Sequence, residues 1–230
     1  MDVAKSFTYM FEDEEWPRKI LVGALFMLLA MVVIGAPFVY GYALEVVRRV
    51  ARGEARPLPE WDNLGQKFSD GLVAWVIFLI WSLPAAVVLG FLMVAGVAPY
   101  FFIASEETAL LFGCVSMLIW TVAMALLLVW GLLLAAASPA IITRYALTGR
   151  FSAAFELREI WQFTRANVGN VLVVLLVIWA ASTLAGLGIW FCFVGYFFTT
   201  IWYYLACAHL LGQLSRQAAA QGAQPLTLEA

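Results

Sequence analysis

The longest apolar run in the chain covers residues 171–211 and contains no aspartate, glutamate, lysine or arginine. A helix needs about 20 apolar residues to cross the ~30 Å hydrocarbon core of a bilayer. The 41 residues of this run are therefore enough for two membrane spans and far too many for one. Gly186 and Gly188, near its middle, are the flexible positions at which we place a tight turn.

Composition extends this conclusion to the whole chain. Hydrophobic residues make up 64% of the 230 residues and charged residues 12%, against roughly half and a quarter in soluble domains. A soluble fold of this size cannot bury so much apolar surface, so the sequence predicts an all-α integral membrane protein. The formal net charge of −2 argues against nucleic acid as a partner.

The apolar runs predict about five transmembrane helices, with four and six as alternatives. The predicted spans are residues 20–44, 72–98, 109–142, 170–185 and 189–213. An acidic N-terminal tail, residues 1–19, precedes this transmembrane domain of residues 20–214, and a flexible tail, residues 215–230, follows it. Gly35 and Pro37 are expected to kink the first span. The alternative is a hairpin that folds at these residues.

Two polar intervals predict amphipathic helices at residues 58–70 and 152–165. In the first, apolar side chains recur at spacings of three, three and four, which places them on one helix face. The second pattern is less regular. Short amphipathic helices joined to membrane spans are expected to lie flat at the lipid boundary, although a solvated loop is the alternative for the first. The predicted interfacial anchors are Leu58, Trp61, Leu64, Phe68, Leu157, Ile160 and Trp161.

Basic residues are concentrated in the same two intervals, which the positive-inside tendency assigns to the cytoplasm. They are Arg48, Arg49, Arg52, Arg56, Lys67, Arg144, Arg150, Arg158 and Arg165. Five spans would leave the N-terminus outside, where Lys5, Arg18 and Lys19 fit this tendency poorly; a hairpin at the first span would place it inside. The repeated order of span, basic turn, amphipathic helix and span predicts a parallel pseudo-repeat.

The predicted spans hold few groups that could carry chemistry. Ionisable residues at membrane depth usually mark ion or substrate pathways, and here they are nearly absent. His209 is the single histidine. We interpret it as a hydrogen-bonded interfacial residue, with a haem or pigment ligand as the alternative, which would need a pocket and usually a second ligand. The sequence thus predicts no catalytic residue, no metal site, no cofactor and no enzymatic activity.

Small residues at intervals of four predict where helices pack closely, because apolar side chains alone give helices little drive to associate in lipid. The best candidates are Gly131 and Ala135 in the third span and Ala181 and Ala185 in the fourth. We expect these two spans to touch each other.

One phrase, Pro57-Leu-Pro-Glu-Trp-Asp62, preceded by Gly41-Tyr42 and followed by Phe68-Ser-Asp-Gly71, resembles a known family. That family is domain of unknown function four thousand and thirteen, which comprises polytopic membrane proteins of bacteria and archaea. Other stretches that agree are residues 11–19, 144–151 with Phe155, and 208–213. The resemblance implies no established activity, so it assigns no catalytic residue, but it makes His209 part of a family motif.

The function favoured by these features is that of a non-enzymatic accessory, scaffold or assembly protein in the prokaryotic cytoplasmic membrane. Its partners would be the lipid bilayer and either other membrane proteins or a second copy, or it would shape the bilayer. The alternative is a transporter-like or lipid-handling protein, because two repeated halves can frame a site between them. A cavity lined by Ser182, Thr183 or His209 would favour that alternative. An enzyme is the least favoured class.

Overall fold

The computed structural model describes residues 1–97, 101, 106–190 and 194–220, and this part of the chain is helical without any strand. The helices are α1 Val3–Thr8, α2 Trp16–Ala30, α3 Ala36–Ala51, α4 Leu64–Val97, α5 Glu106–Thr148, α6 Leu157–Ala166, α7 Val168–Gly186 and α8 Val194–Ala220. Short 3₁₀ turns cover Tyr9–Glu12, Phe151–Phe155 and Leu187–Trp190.

Four helical segments among the described residues are long and apolar enough to cross a membrane. They are Leu64–Val97, Glu107–Thr148, Val168–Trp190 and Val194–Ala220. The protein is therefore an all-α membrane protein, with four candidate spans where the sequence predicted about five. Helices α2 and α3, with 15 and 16 residues, are too short, since at 1.5 Å per residue each reaches only about 22–24 Å.

The missing span is the first one, because residues 20–44 are two helices instead of a single kinked one. Helix α2 ends at Ala30 and α3 begins at Ala36. Pro37 lies in the first turn of α3, where its missing N–H costs no hydrogen bond. A Cβ at Gly35 would collide with the carbonyl oxygen of Phe26, so the chain reverses tightly here. The structure has the hairpin that the sequence left as the alternative.

The predicted interfacial helix at 58–70 is also corrected. Residues 57–63 are not helical, and the helix begins at Leu64 and continues without a break to Val97. Pro57 and Pro59 fix φ and remove two amide donors, which is incompatible with a helix interior. The second interval does contain a separate helix, α6, after a 3₁₀ turn. Helix α8 includes residues 215–220 of the predicted tail; residues 221–230 lie outside the described residues.

The chain divides into two compact units, Met1–Ile77 with Ala136–Ala230, and Phe78–Ala135. In the first unit α8 is the central helix, and α1, α2, α3 and α7 all pack against it. In the second unit the Nε1–H of Trp130 donates to the carbonyl of Trp81 at 3.3 Å. The hydroxyl of Ser116 donates to the carbonyl of Gly96 at 3.4 Å.

Candidate functional site

Charged side chains collect in the first unit where α3 ends and α4 begins. They line a cavity of about 410 Å³. Its cationic residues are Arg48, Arg49, Arg52 and Lys67, and its acidic residues are Glu45, Glu54, Asp62 and Asp70. Four charges of each sign make the lining electrically balanced, so the arrangement of pairs decides what the cavity can bind.

Lys67 is the buried cation of this cluster, with a side chain only 4% exposed. Its ammonium group lies 2.8 Å from Oε2 of Glu45 and 3.1 Å from Oδ1 of Asp62, and it donates to the Asp62 carbonyl at 2.9 Å. A buried ammonium is tolerated only when it is paired in this way. The hydrogen bond and charge of Lys67 hold the pKa of Asp62 below its ordinary value of 3.8.

Arg48 joins three helices at the same end of the first unit. Its guanidinium lies 2.6 Å from Oδ2 of Asp70 in α4, and its Nε–H donates to the Ala146 carbonyl in α5 at 2.7 Å. The hydroxyl of Tyr145 in α5 donates to the Asp70 carbonyl at 3.2 Å. Arg48 is therefore a structural tie between α3, α4 and α5.

The remaining arginines of the cavity differ in how they are paired. Arg49 lies 2.7 Å from Oε1 of Glu45 and 3.9 Å from Oε2 of Glu54. Arg52 is exposed, and within the described part of the chain it lies within 4.0 Å of no carboxylate. Arg52 is thus the cation of this cavity that is available to an anionic group.

A second charged cluster surrounds Lys19 at the start of α2. Its ammonium lies 2.8 Å from Oδ2 of Asp13 and 2.6 Å from Oε1 of Glu60. Burial by itself would raise the pKa of Asp13, but hydrogen bonds from Lys19 and from the Glu15 amide, with nearby cationic charge, hold it below 3.8. The acidic N-terminal segment is therefore folded onto α2 and onto the proline-containing connection.

His209 fastens helix α1 to helix α8. Its Nδ1 lies 2.9 Å from the hydroxyl of Ser6 and 3.0 Å from Nε2 of Gln213, and its ring stacks on Tyr9 at a centroid distance of 4.3 Å. The Asp2 amide donates to Oε1 of Gln213 at 2.6 Å. His209 is buried, so its contacts here are those of a packing residue.

His209 and Gln213 also border a cavity of about 450 Å³, together with Asp2, Lys5 and Arg216. The structure therefore places His209 beside a cavity with a mixed polar and apolar lining, as a ligand-binding role requires, although its Nδ1 is already engaged by Ser6 and Gln213. Among the described residues, no group of three or more histidine, cysteine, aspartate or glutamate side chains is arranged to hold a metal ion.

Two of the predicted anchors of the first interval, Leu58 and Trp61, pack against the protein. The ring of Trp61 stacks between Tyr42, at 4.1 Å, and Phe26, at 4.9 Å, and its Nε1–H donates to the Lys19 carbonyl at 2.8 Å. Leu58 is buried. This placement corrects the prediction, because the aromatic rings of α2 and α3 offer Trp61 an apolar surface inside the protein.

The other predicted anchors have mixed positions. Phe68 packs against Phe38 with ring centroids 5.0 Å apart, whereas Leu64 is exposed. On α6, Ile160 is buried, and Leu157 and Trp161 are exposed. The guanidinium of Arg165 lies 4.9 Å from the centroid of the Trp161 ring. Contact of Leu157 and Trp161 with lipid stays a prediction.

The predicted packing residues also divide into two sets. Ala181 and Ala185 are buried on the face of α7 that meets α8, where the Thr199 hydroxyl donates to the Ala185 carbonyl at 2.8 Å. Gly131 and Ala135 are exposed, and a Cβ at Gly131 would have no neighbour within 4 Å. The small residues of α7 therefore pack against α8, which the sequence did not predict.

Sequence reasoning missed the residues that tie the N-terminal segment to the rest of the first unit. Ser6 and Tyr9 contact His209 across about 200 positions in the chain, and no local pattern signals such a pairing. Lys19 carried a weak signal, since it is the second of two adjacent cations that follow four carboxylates at the edge of an apolar run.

Comparison with known proteins gives one match. The sequence model of the family described as "Protein of unknown function (DUF4013)" matches residues 24–194. This range includes the Pro57-to-Asp62 phrase and ends before His209. No match was found among curated proteins or among solved structures. Because the family match covers well over half of its length, the chain belongs to the DUF4013 family of proteins of unknown function.

Proposed function

We propose that this protein is a non-enzymatic accessory or scaffold protein of the prokaryotic cytoplasmic membrane, which binds other membrane proteins or a second copy of itself through apolar helix faces. The observation that carries the proposal is the contrast between α5 and α8. Only 6% of the most apolar 18-residue stretch of α5 is buried, against 56% in α8. Helix α5 thus leaves nearly all of its apolar surface free for lipid or for another membrane protein.

The distribution of charge supports the same proposal. Between residues 72 and 143, Glu106 and Glu107 are the only aspartate, glutamate, lysine or arginine residues, and there are none of these four types between 166 and 215. A carrier of ions or polar solutes usually keeps such groups inside its spans. The buried charges of the first unit are instead engaged with one another, as in the Lys67 and Lys19 clusters.

Site-specific photo-cross-linking in native membranes tests the proposal. A photoreactive phenylalanine analogue would replace Leu128, Leu132 or Met124 of α5 one at a time, all of which are more than half exposed. The expected result is a discrete protein adduct from at least one of these three positions, which lie on one face of α5. Matched positions on α7, Leu172 and Leu176, control for random collision in the membrane. Lipid adducts alone from every α5 position would contradict the proposal.

A second candidate, a lipid-handling or transporter-like protein, is favoured by one observation, the exposed Arg52 beside the 410 Å³ polar cavity. Arginine recognises phosphate groups well because its planar donors match phosphate oxygens. This cavity lies at the junction of α3 and α4, and not between two repeated halves. Thermal stabilisation by added phosphatidylglycerol that disappears in Arg52→Gln, but not in Arg150→Gln, would promote this candidate.

A further inference from the structure

The hairpin of α2 and α3 has an apolar turn and a polar open end. Met31, Val32, Val33 and Ile34 form the turn, and each is more than half exposed. The open end holds the Lys19 cluster on α2 and the arginines at the end of α3. Four consecutive exposed apolar residues at the tip of a hairpin are unfavourable in water and favourable among acyl chains.

Five of the six backbone amides of residues 31–36 are paired within the protein. The amides of Met31, Val32 and Val33 donate to the carbonyls of Leu28, Leu29 and Ala30 at 2.9–3.2 Å. The amides of Gly35 and Ala36 donate to the carbonyls of Leu29 and Val33 at 3.2 and 3.3 Å. A turn in water has no need of such pairing, whereas an unpaired amide in hydrocarbon costs several kcal/mol.

The length of the hairpin limits how far it reaches. Val33 follows Lys19 by fourteen positions, which corresponds to about 21 Å of helix. The hydrocarbon core of a bilayer is about 30 Å thick. A hairpin held at one membrane surface by its charged end therefore stops inside the bilayer and returns to the same surface.

The contacts of the N-terminus place both ends of the hairpin on one side. Lys19 pairs with Glu60 in the connection between α3 and α4, and Asp2 bonds to Gln213 near the end of α8. Lys5 and Arg18 therefore share a side with Arg48, Arg49 and the other bases of this connection. The positive-inside tendency assigns that side to the cytoplasm.

We propose that α2 and α3 form a re-entrant membrane hairpin that enters from the cytoplasmic side. Its turn, residues 31–34, is embedded among lipid acyl chains, and the N-terminus and α1 are cytoplasmic. The occupant of the exposed apolar face of the hairpin is lipid. This assignment is independent of whether α5 binds a partner protein.

Cysteine labelling with a membrane-impermeant maleimide tests the topology. The native cysteines Cys114, Cys192 and Cys207 are first replaced, and Lys5→Cys, Val33→Cys and Arg56→Cys are then made singly. The expected result is that Lys5→Cys and Arg56→Cys are labelled only from the cytoplasmic side and that Val33→Cys is labelled from neither side. Labelling of Lys5→Cys from outside, or of Val33→Cys from either side, would overturn the proposal.

A pair of substitutions at Val33 gives a second readout. Val33 has a φ of +69°, a conformation that is strained for a β-branched residue and easier for glycine or asparagine. Both Val33→Gly and Val33→Asn relieve this strain, but the asparagine also places an amide at the tip of the hairpin. An embedded turn predicts a lower Tm for Val33→Asn than for Val33→Gly in lipid nanodiscs. An equal or higher Tm for Val33→Asn would mean that the turn lies in water.

Discussion

Gly41 of α3 lies directly against the backbone of Lys67 in α4, so that a Cβ at Gly41 would collide with the Lys67 carbonyl oxygen. One turn along α4, a Cβ at Gly71 would collide with the carbonyl oxygen of Pro37. The two helices thus cross in backbone contact at two glycines. Glu45 follows Gly41 by one helical turn on the same face, and this places its carboxylate beside the Lys67 ammonium.

The crossing predicts that neither glycine tolerates a methyl group. Gly41→Ala and Gly71→Ala should each destabilise the protein by about 1–3 kcal/mol, because overpacked helices must move apart. Gly65→Ala is the matched control on α4, since a Cβ there has no neighbour within 4 Å. Thermal unfolding in detergent should show a lower Tm for the first two variants and no loss for the third. Equal Tm values would contradict the close crossing.

The position of Trp61 predicts a large loss when its ring is removed. Trp61→Ala should destabilise the protein by up to about 3–5 kcal/mol, the range for a fully buried aromatic residue, because Trp61 is half-buried. Trp61→Phe keeps the stacking with Tyr42 and loses the hydrogen bond to the Lys19 carbonyl, which is worth about 1 kcal/mol. Trp161→Ala on α6 is the control, because Trp161 is exposed. The Tm should be lowest for Trp61→Ala, higher for Trp61→Phe and highest for Trp161→Ala.

The Lys19 cluster predicts a pH dependence of stability. The pKa of Asp13 is below 3.8 in the folded protein and near its ordinary value when unfolded. Its carboxylate therefore stabilises the fold above the ordinary pKa, and this contribution is lost as the pH falls through the folded value. Asp13→Asn should lower the Tm at neutral pH, and the difference from the wild type should shrink between about pH 4 and pH 2.

Glu14→Gln is the control for this titration, because the Glu14 side chain is 88% exposed and lies 4.0 Å from Arg56. Its Tm should follow the wild type at every pH. A difference between Asp13→Asn and the wild type that stays constant down to pH 2 would show that the Asp13 charge does not carry the effect.

The His209 contacts predict that helix α1 depends on this side chain. His209→Ala should loosen α1 from α8, with a cost of about 1–3 kcal/mol, because the buried hydrogen bond of Ser6 to the ring and the stacking on Tyr9 are both lost. Amide hydrogen exchange of residues 3–12 should become faster, while α7 stays protected. His209→Asn should have a smaller effect, because its amide can still bond to Ser6 or Gln213. Unchanged exchange in His209→Ala would show that α1 is held by other contacts.

The small residues of α7 predict a face-specific effect of added volume. Ala181→Leu and Ala185→Leu should destabilise the packing of α7 on α8 by about 1–3 kcal/mol each. Gly131→Leu in α5 should be neutral, because the position borders open space. Limited proteolysis would report the loosened contact, as faster cleavage near residues 187–190 in Ala181→Leu and Ala185→Leu than in Gly131→Leu. Equal resistance in all three variants would mean that Ala181 and Ala185 do not face a packed helix.

The sequence predicts the helices of this protein well, because long apolar runs and clustered bases are local signals. Helices α4, α5, α7 and α8 all contain the runs from which spans were inferred. Gly35 and Pro37 indicated a break between α2 and α3 in the sequence. Whether the chain kinks or reverses there depends on tertiary packing. The close fit of Gly35 against the α2 backbone is a tertiary contact, which no local pattern contains.

The environment of each side chain is harder to predict than its helix. Leu58, Trp61, Leu64 and Phe68 have helical spacing, yet the first two precede the helix, where Leu58 is buried and Trp61 is half-buried against other aromatic rings. Their periodicity is equally compatible with burial against lipid and with burial against Phe26 and Tyr42. Only the folded positions of α2 and α3 decide between these two apolar surroundings.

Helix α8, on which α1, α2, α3 and α7 pack, is the last described helix in chain order. About 170 residues separate the end of α3 from the end of α8. At ~5–20 residues per second, their synthesis takes about 10–30 s. During that interval α1, α2 and α3 lack the surface of α8 against which they pack. Assembly of the first unit is therefore completed only after its last described helix is made, and a chain truncated before α8 would hold nearly every helix but none of the contacts with α8.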